Sequence, residues 1–305
     1  MGLEESKTGD DLNEAEYSAA GEILTKLALA NPSLLDNYIT IVKSTTSLPV
    51  KVAIGASVKH FFENDSFVDA HSHRLGLLLE LSSVEGFLFE SNLTLKQIGV
   101  NNLLFVTHKK PLVALPLVSK AIPTILEGEL TQKKEYVKVL KIGPFKHKID
   151  DALNFRRSLY ELVYTLITSL EDNPTLLTLG HIDWSAVFTQ FVTRSFRDDQ
   201  TITFTSLLTL LKIVTLKPTI FTDSGVLEKF IASSNKLLNK KLKEDAPKQD
   251  VAKREDTNNA VLRCLKKMDL LVQKGVLKMD REGETQWRDF IKELRQKHSK
   301  FDNEE

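Results

Sequence analysis

The chain has 305 residues, of which 27% are charged and 42% are apolar, a balance that is usual for a soluble protein. Lysine plus arginine and aspartate plus glutamate number 41 each, so the overall charge favours neither a nucleic-acid coat nor a membrane-surface protein. The single cysteine, Cys264, rules out an intramolecular disulfide and is typical of a protein in a reducing compartment.

The first predicted helix follows a polar segment, residues 1–13, which we expect to be disordered. The helix begins near Glu14 and ends at Asn31-Pro32, because a proline disfavours the helical conformation in the residue before it. Apolar residues recur within it at helical spacing. The buried stripe predicted from this spacing comprises Ile23, Leu24, Leu27 and Ala28.

Breaks rich in proline and asparagine divide the rest of the chain into helix pairs, at intervals of roughly 40 residues. They are found at Asn31-Pro32, Asn64-Asp65, Lys109 to Pro111, Asn173-Pro174 and Lys217-Pro218. Two helices in about 40–47 residues are typical of HEAT repeats, which stack to bury a continuous core. We therefore predict an all-α fold, a HEAT-repeat α-solenoid of antiparallel helix pairs. A compact all-helical domain is the alternative.

The pattern of helix pairs also predicts where the parts of the chain begin and end. We predict HEAT-type repeats over 14–132 and 151–274, a projecting β-hairpin over 133–150, and a C-terminal capping helix and tail over 275–305. The charged segment 243–256 contains a proline and is expected to be a loop.

Two further expectations concern single segments. Pro116 and Pro123 should kink or break the helix that contains them. No segment reaches about 18 apolar residues without a charge, so we expect no membrane-spanning helix.

The hairpin interrupts the helical pattern between Lys133 and Asp150. A β-branched and aromatic run ends at Gly143-Pro144, a dipeptide that favours a turn, and apolar residues then alternate with charged ones. Six lysines accompany one internal acid, Glu135, which favours a binding element over a linker. A disordered insertion is the alternative. The predicted partner-binding residues are Tyr136, Lys138, Leu140, Lys141, Ile142, Gly143, Pro144, Phe145, Lys146, His147 and Lys148.

Candidate catalytic and metal-binding residues are few. His71 and His73 could offer nitrogens to a metal, but capping and a solvated surface explain them more simply. Cys264 lies on an apolar stripe, which favours a buried thiol over a nucleophile. Asp150-Asp151 could form an acid/base pair or begin a helix. Because no phosphate loop or nucleophile–base motif is present, we expect no enzymatic activity, no metal, no cofactor and no small-molecule substrate.

Arg156-Arg157 has two readings. The pair could bind acids on a partner protein, or it could pair with Asp150-Asp151 at helical spacing. We favour the structural role within the chain.

The stretch from Ile142 to Leu166 resembles the C-terminal region of the cullin-associated, neddylation-dissociated protein family. The family pattern there is Gly-Pro-Phe-Lys-His, a spacer, Asp-Asp and a helix that opens with an arginine. Gly143 to His147, Asp150, Asp151 and Arg156 match it. The resemblance extends over almost the whole chain after the first dozen residues, although the final helix, Glu284 to Lys300, matches poorly. Family members are several times longer, so the chain is a fragment, a divided-gene product or a shortened relative.

The resemblance implies a HEAT-repeat solenoid that binds the N-terminal region of a cullin scaffold, in the cytoplasm and nucleus. There its hairpin would occupy the surface used by substrate-receptor adaptors, so that binding of this chain and of adaptor would be mutually exclusive. The expected function is regulation of cullin-RING ubiquitin ligases, by receptor exchange or by holding the ligase inactive. A separate N-terminal HEAT-repeat chain would be a further partner.

Two other functions stay open at this point. The family has also been associated with the TATA-binding protein, a transcription factor. The lysine-rich hairpin could alternatively bind nucleic acid, although Tyr136 and Phe145 are its only aromatic residues for base stacking. Neither a membrane nor a nucleic acid is expected as the main partner.

Overall fold

The structure, a computed structural model, describes residues 14–83, 85–142, 145–178, 181–242, 246–298 and 301; at 142, 145–147 and 178 only the backbone is described. Within these ranges the chain forms twelve α-helices and one two-stranded sheet. It divides into two compact units, Met1–Ala121 and Ile122–Glu305. The all-α HEAT-repeat fold with one inserted hairpin is confirmed. The predicted disorder of residues 1–13 lies outside the described residues.

The first unit contains two layers of helices. Its elements are α1 (Glu14–Ala30), α2 (Leu34–Ser44), α3 (Leu48–Phe61), α4 (Asp65–Glu80), α5 (Leu93–Lys109) and the greater part of α6 (Pro111–Thr124). Helices α1, α3 and α5 pack side by side in one layer, and α2 packs on α4 in the other. This alternation of layers is the arrangement that stacked helix pairs produce.

A close approach between α1 and α3 corrects the predicted stripe of α1. A Cβ atom at Gly21 would lie 2.8 Å from the backbone carbon of Ala56, so only glycine fits there. The buried face of α1 is therefore made of small residues, Gly21, Thr25 and Ala28. Ile23 and Leu27 are instead 59% and 52% exposed. The prediction was wrong for these two because helical spacing alone does not show which face of an alanine-rich helix lies against a neighbour.

The second unit repeats the layered plan after the hairpin. Its helices are α7 (Leu153–Asp172), α8 (Trp184–Ser195), α9 (Gln200–Leu216), α10 (Ser224–Leu238), α11 (Lys248–Gln273) and α12 (Arg281–Lys297). Helices α7, α9 and α11 form one layer, while α10 contacts both α8 and α12 in the other. Four of these helices begin at an aspartate that accepts a backbone N–H bond. The four capping residues are Asp183, Asp199, Asp223 and Asp280.

Aromatic residues fill the core of the second unit near its C-terminal end. The Phe188 and Phe221 rings meet edge to face at 5.3 Å, and Phe230 stacks on Trp287 at 6.3 Å. The indole N–H of Trp287 donates to the buried Asp269 carboxylate at 3.0 Å. The polar atom of this large side chain is thereby satisfied inside the core.

The predicted break of α6 and the predicted loop before α11 are wrong. Helix α6 continues through Pro116 and Pro123, and a π-helical turn over Ile125–Glu129 follows it. The predicted loop 243–256 is a helix from Lys248 onward. Pro247 stands immediately before that helix, a position that is compatible with proline. The charged residues of the first helical turns are mostly exposed to solvent.

One segment of the described residues is long and apolar enough to cross a membrane by length and composition alone. It is Pro111–Glu129, of which 39% is buried in the structure. Lys120 lies within it and pairs with Glu85 at 2.9 Å. Core helices of soluble proteins pass the same test, so the segment carries no membrane assignment.

Candidate partner-binding hairpin

The predicted hairpin is present, with strands β1 (Val137–Ile142) and β2 (Phe145–Asp150) paired antiparallel. A short 3-10 turn, Lys134–Tyr136, precedes it. The register pairs Val137 with Asp150 at the base and Ile142 with Phe145 at the far end. The predicted turn residues Gly143 and Pro144 lie outside the described residues.

Pairing divides the hairpin positions between two faces, because successive strand residues alternate. Positions 138, 140 and 142 share one face with their partners 149, 147 and 145. We call this the apolar face, since four of its six positions are Leu140, Ile142, Phe145 and Ile149. Positions 139, 141, 146 and 148 lie on the other face, and three of them are lysines.

Beyond the half-buried base pair Val137 and Asp150, the described side chains of both strands are exposed. Leu140 and Ile149 on the apolar face are 46% and 42% exposed, and Val139 on the other face is 59% exposed. In the described part of the chain, no helix packs broadly on either strand. Exposed apolar side chains on an isolated two-stranded sheet are typical of a contact surface for another molecule.

Of the other predicted binding residues, Tyr136 is half-buried beside the base, whereas Lys138, Lys141 and Lys148 are exposed. For four further predicted residues the structure describes only the backbone, which lies in the two strands. They are Ile142, Phe145, Lys146 and His147.

The base of the hairpin is fixed by a buried arginine that binds two carboxylates. Arg156 of α7 is only 1% exposed. Its guanidinium donates to both Asp150 oxygens, at 3.2 and 2.9 Å. On its other edge it donates to both Asp198 oxygens, at 2.9 and 2.8 Å. We call Asp150, Arg156 and Asp198 the base cluster. It joins the end of β2 to the start of α7 and to the turn before α9.

The contacts of the base cluster favour the charged forms of Arg156 and Asp150. Burial alone would lower the pKa of Arg156, but the hydrogen bonds that it donates to Asp198 and Asp150 outweigh burial and raise it. Burial would likewise raise the pKa of Asp150, yet its bonds with Arg156 and Gln132 bring it below the usual value of 3.8. Two bidentate bonds to one planar guanidinium fix direction as well as distance. The cluster therefore sets the angle at which β2 leaves the helices.

Weaker bonds surround the base cluster. Arg157 donates to Asp199 at 2.8 Å, and Lys138 of β1 lies 2.8 Å from Asp151. Lys148 of β2 donates to the side chain of Gln132 at 3.0 Å. All three contacts are partly or fully exposed to solvent, so each contributes less than the buried cluster.

Within the second unit, Arg194 ties the chain that precedes the hairpin to α8. It donates to the Thr131 hydroxyl at 2.8 Å and to the Glu127 carbonyl at 3.1 Å. A cavity of about 470 Å³ opens beside these contacts, with Gln132 and Arg156 in its lining. Both ends of the hairpin segment are therefore anchored, on the Arg194 side and on the Arg156 side.

The structure settles the two readings of Arg156-Arg157 in favour of the structural one. Asp150 does pair with Arg156, as predicted. Asp198 and Asp199 were not predicted as partners of these arginines. A signal was available: each arginine and its aspartate are separated by 42 residues, close to the length of one repeat. Adjacent repeats place such positions side by side.

Other residues singled out in the sequence have structural surroundings. Cys264 is buried in α11, as predicted, and burial raises its pKa to about 12, which disfavours the thiolate. His71 lies at a kink of α4 with its ring 4.5 Å from Phe67. Among the described residues, no group of three or more histidine, cysteine, aspartate or glutamate side chains could hold a metal ion.

Each unit has two layers of helices, as in a HEAT-repeat protein, and the second unit carries the anchored hairpin. A family model described as "TATA-binding protein interacting (TIP20)", TIP120, matches residues 113–295. The match covers more than half of the chain, and the chain belongs to this family. It extends through most of α12, the segment that the sequence analysis expected to fit poorly.

Curated relatives confirm the resemblance stated from the sequence. A protein of Emericella nidulans, "Cullin-associated NEDD8-dissociated protein 1, C-terminal part", is 31% identical over 163 residues, 53% of this chain and 14% of the relative. "Cullin-associated NEDD8-dissociated protein 1" of Arabidopsis thaliana is 23% identical over 257 residues, 84% of this chain and 20% of the relative. The Drosophila melanogaster protein of that name is 24% identical over 260 residues, which make up 83% of this chain and 19% of the relative. The chain thus spans a fifth or less of the length of these relatives.

Proposed function

We propose that this chain is a non-catalytic regulator of cullin-RING ubiquitin ligases. It binds the N-terminal region of a cullin and competes there with the substrate-receptor adaptor. The observation that carries the proposal is the anchored, exposed hairpin in a chain whose relatives are named cullin-associated proteins. Binding of this kind breaks no covalent bond, so no catalytic residues are required.

The hairpin has the composition of a wedge. Leu140 and Ile149 offer exposed apolar area, and the apolar face also includes positions 142 and 145. Such residues would enter a groove between partner helices and supply most of the affinity. Lysines along the second face and at the base would orient the approach and raise the association rate. To enter a groove, the hairpin must keep a fixed orientation relative to the helices, and the base cluster holds it in that orientation.

Competition follows if the wedge and the adaptor use the same groove. While the hairpin occupies the groove, the adaptor cannot bind; when it leaves, a different adaptor and receptor can enter. The same chain therefore promotes receptor exchange when its residence is short and holds the ligase inactive when its residence is long.

A pull-down from cell extract tests the cullin assignment directly. The chain is immobilised, and bound proteins are identified with and without competing adaptor. We expect a cullin to be retained and to be released by added adaptor. Retention of no cullin would contradict the proposal, as would a cullin that adaptor cannot displace.

A second candidate function is binding of the TATA-binding protein, which is favoured by the printed description of the family model. The same pull-down separates the two, because this function predicts retention of the TATA-binding protein from nuclear extract. A third reading, nucleic-acid binding by the basic hairpin, predicts strong salt dependence with no protein partner. The hairpin fits it less well, since Tyr136 is half-buried and so presents little ring surface for stacking.

A separate N-terminal HEAT-repeat chain remains a proposed partner. The exposed Ile23 and Leu27 on α1 are residues against which a preceding helix pair would pack. Co-expression with candidate N-terminal chains, followed by size-exclusion chromatography, tests this, and the variant Leu27→Asp should abolish co-elution.

A further inference from the structure

A second groove of the Ile122–Glu305 unit lies between the C-terminal ends of α8 and α10, apart from the hairpin strands. Its volume is about 450 Å³. Val192, Phe196 and Leu237 contribute apolar atoms to its lining, and Phe196 and Leu237 are themselves nearly covered. Its charged lining residues are Arg197, Lys236 and Lys240, and no acidic residue lines it.

The three cations of this groove have no acid to neutralise them. Arg197, Lys236 and Lys240 are exposed, and none of them forms an ion pair within the part of the chain that the structure describes. By contrast, the neighbouring Arg156 and Arg157 are both paired with aspartates. Cations in the last turn of a helix can stabilise its dipole, but that role explains only Lys236.

A fourth cation lies at the edge of the groove. The Arg254 guanidinium donates to the carbonyl oxygen of Leu237, a lining residue. Arg254 is half-buried, and burial without a carboxylate partner lowers its pKa. Three cations therefore line a groove whose floor is apolar, a fourth is bonded to one of its lining residues, and such a field attracts an anionic ligand.

We propose that the α8–α10 groove binds an acidic peptide segment that carries an apolar residue. Carboxylates of the segment would pair with Lys236, Lys240 and Arg197 at the rim, and its apolar side chain would fill the floor between Phe196 and Leu237. Charge complementarity favours an acidic ligand. A nucleic acid fits less well, because Phe196 is buried and the groove lacks an exposed aromatic face for stacking. The inference is independent of the hairpin, so either proposal can fail alone.

Fluorescence anisotropy with the full chain tests this site. The probe is a short fluorescein-labelled peptide of glutamates around a central leucine–phenylalanine pair. We expect saturable binding that weakens with added salt. The double variant Lys236→Glu/Lys240→Glu should lose at least about tenfold in affinity. Lys229→Glu is the matched control, because Lys229 is exposed on the same helix but does not line the groove.

Several results would overturn the proposal. One is equal affinity of the double variant and wild type. Another is equal affinity for a peptide of glutamates alone, which would indicate general attraction without a groove. A third is tighter binding of a single-stranded oligonucleotide that competes with the peptide. Circular dichroism of the double variant should match wild type, and the milder pair Lys236→Gln/Lys240→Gln should lie between the two in affinity.

Discussion

The strands of the hairpin and the cluster at its base use charge and apolar surface in opposite ways. On the strands, apolar side chains such as Leu140 are exposed and lysines extend into solvent. At the base, a buried arginine is saturated by two carboxylates. The first arrangement leaves apolar surface exposed to water, and burying that surface against a partner would be favourable. The second is costly to build in isolation but fixes geometry. Under the proposed function, affinity would reside in the strands and orientation in the base.

The largest expected effect comes from removing the arginine of the base cluster. Arg156→Ala leaves two buried carboxylates without a cation and should lower the free energy of unfolding by about 3–5 kcal/mol. Arg157→Ala is the matched control; its ion pair is partly exposed, so the loss should be at most about 1 kcal/mol. Urea unfolding followed by tryptophan fluorescence measures both, since Trp184 and Trp287 lie in the same unit. Equal losses for the two variants would show that burial does not distinguish them.

A change on the apolar face should affect binding and leave stability unchanged. Leu140→Asp should weaken cullin binding by about 2–4 kcal/mol, as removal of a central apolar anchor does. Phe145→Ala should act in the same direction. Val139→Asp, on the opposite face, is the control and should cost less. Calorimetric titration with a cullin N-terminal fragment gives the comparison, and a larger loss for Val139→Asp would assign the contact to the lysine face.

Acid should loosen the base before it affects the strands. The pKa of Asp150 is lowered in the folded chain, so its stabilisation is present above the ordinary value of 3.8 and is lost as pH falls through the lower folded value. The difference in unfolding free energy between wild type and Asp150→Asn should therefore shrink as pH falls from neutral through this range. Urea unfolding at a series of pH values measures it. A difference that stays constant with pH would contradict the assigned charge state.

The smallest effect is expected from single lysines of the hairpin. Lys148→Gln should change cullin affinity by at most about 1 kcal/mol, mainly through a slower association rate at low salt. Surface plasmon resonance at two salt concentrations separates association from dissociation. A change confined to the dissociation rate would place Lys148 in the buried part of the interface.

Much of the fold could be predicted from the sequence because its signals are local. The breaks at Asn64 and Asn173-Pro174 and the helix caps each act over a few residues. The two strands followed from β-branched and aromatic residues in the first and from alternation in the second. Where a charged segment begins at a proline, local signals are ambiguous, and the helix from Lys248 was mistaken for a loop for that reason.

The rest required contacts between distant residues. Whether Ile23 faces the core depends on how closely α3 approaches α1 at Gly21. The spacing of apolar residues along α1 carries no information about that distance. The Arg156–Asp198 contact spans 42 residues and becomes visible only when neighbouring repeats are aligned. The strands and the Asp150–Arg156 pair could therefore be predicted, whereas the Asp198 side of the base cluster could not.

The central claim is that the hairpin itself excludes the adaptor, and adaptor release measures this directly. A cullin–adaptor complex with a labelled adaptor is mixed with the wild-type chain or with a variant in which Lys138 to Lys148 are replaced by a short Gly-Ser linker. The flanking helix pairs should still fold, since each buries its apolar side against neighbours. We predict that wild type releases adaptor, whereas the variant still binds cullin weakly but releases none. Equal release by the two chains would contradict the account and assign competition to the helical layers.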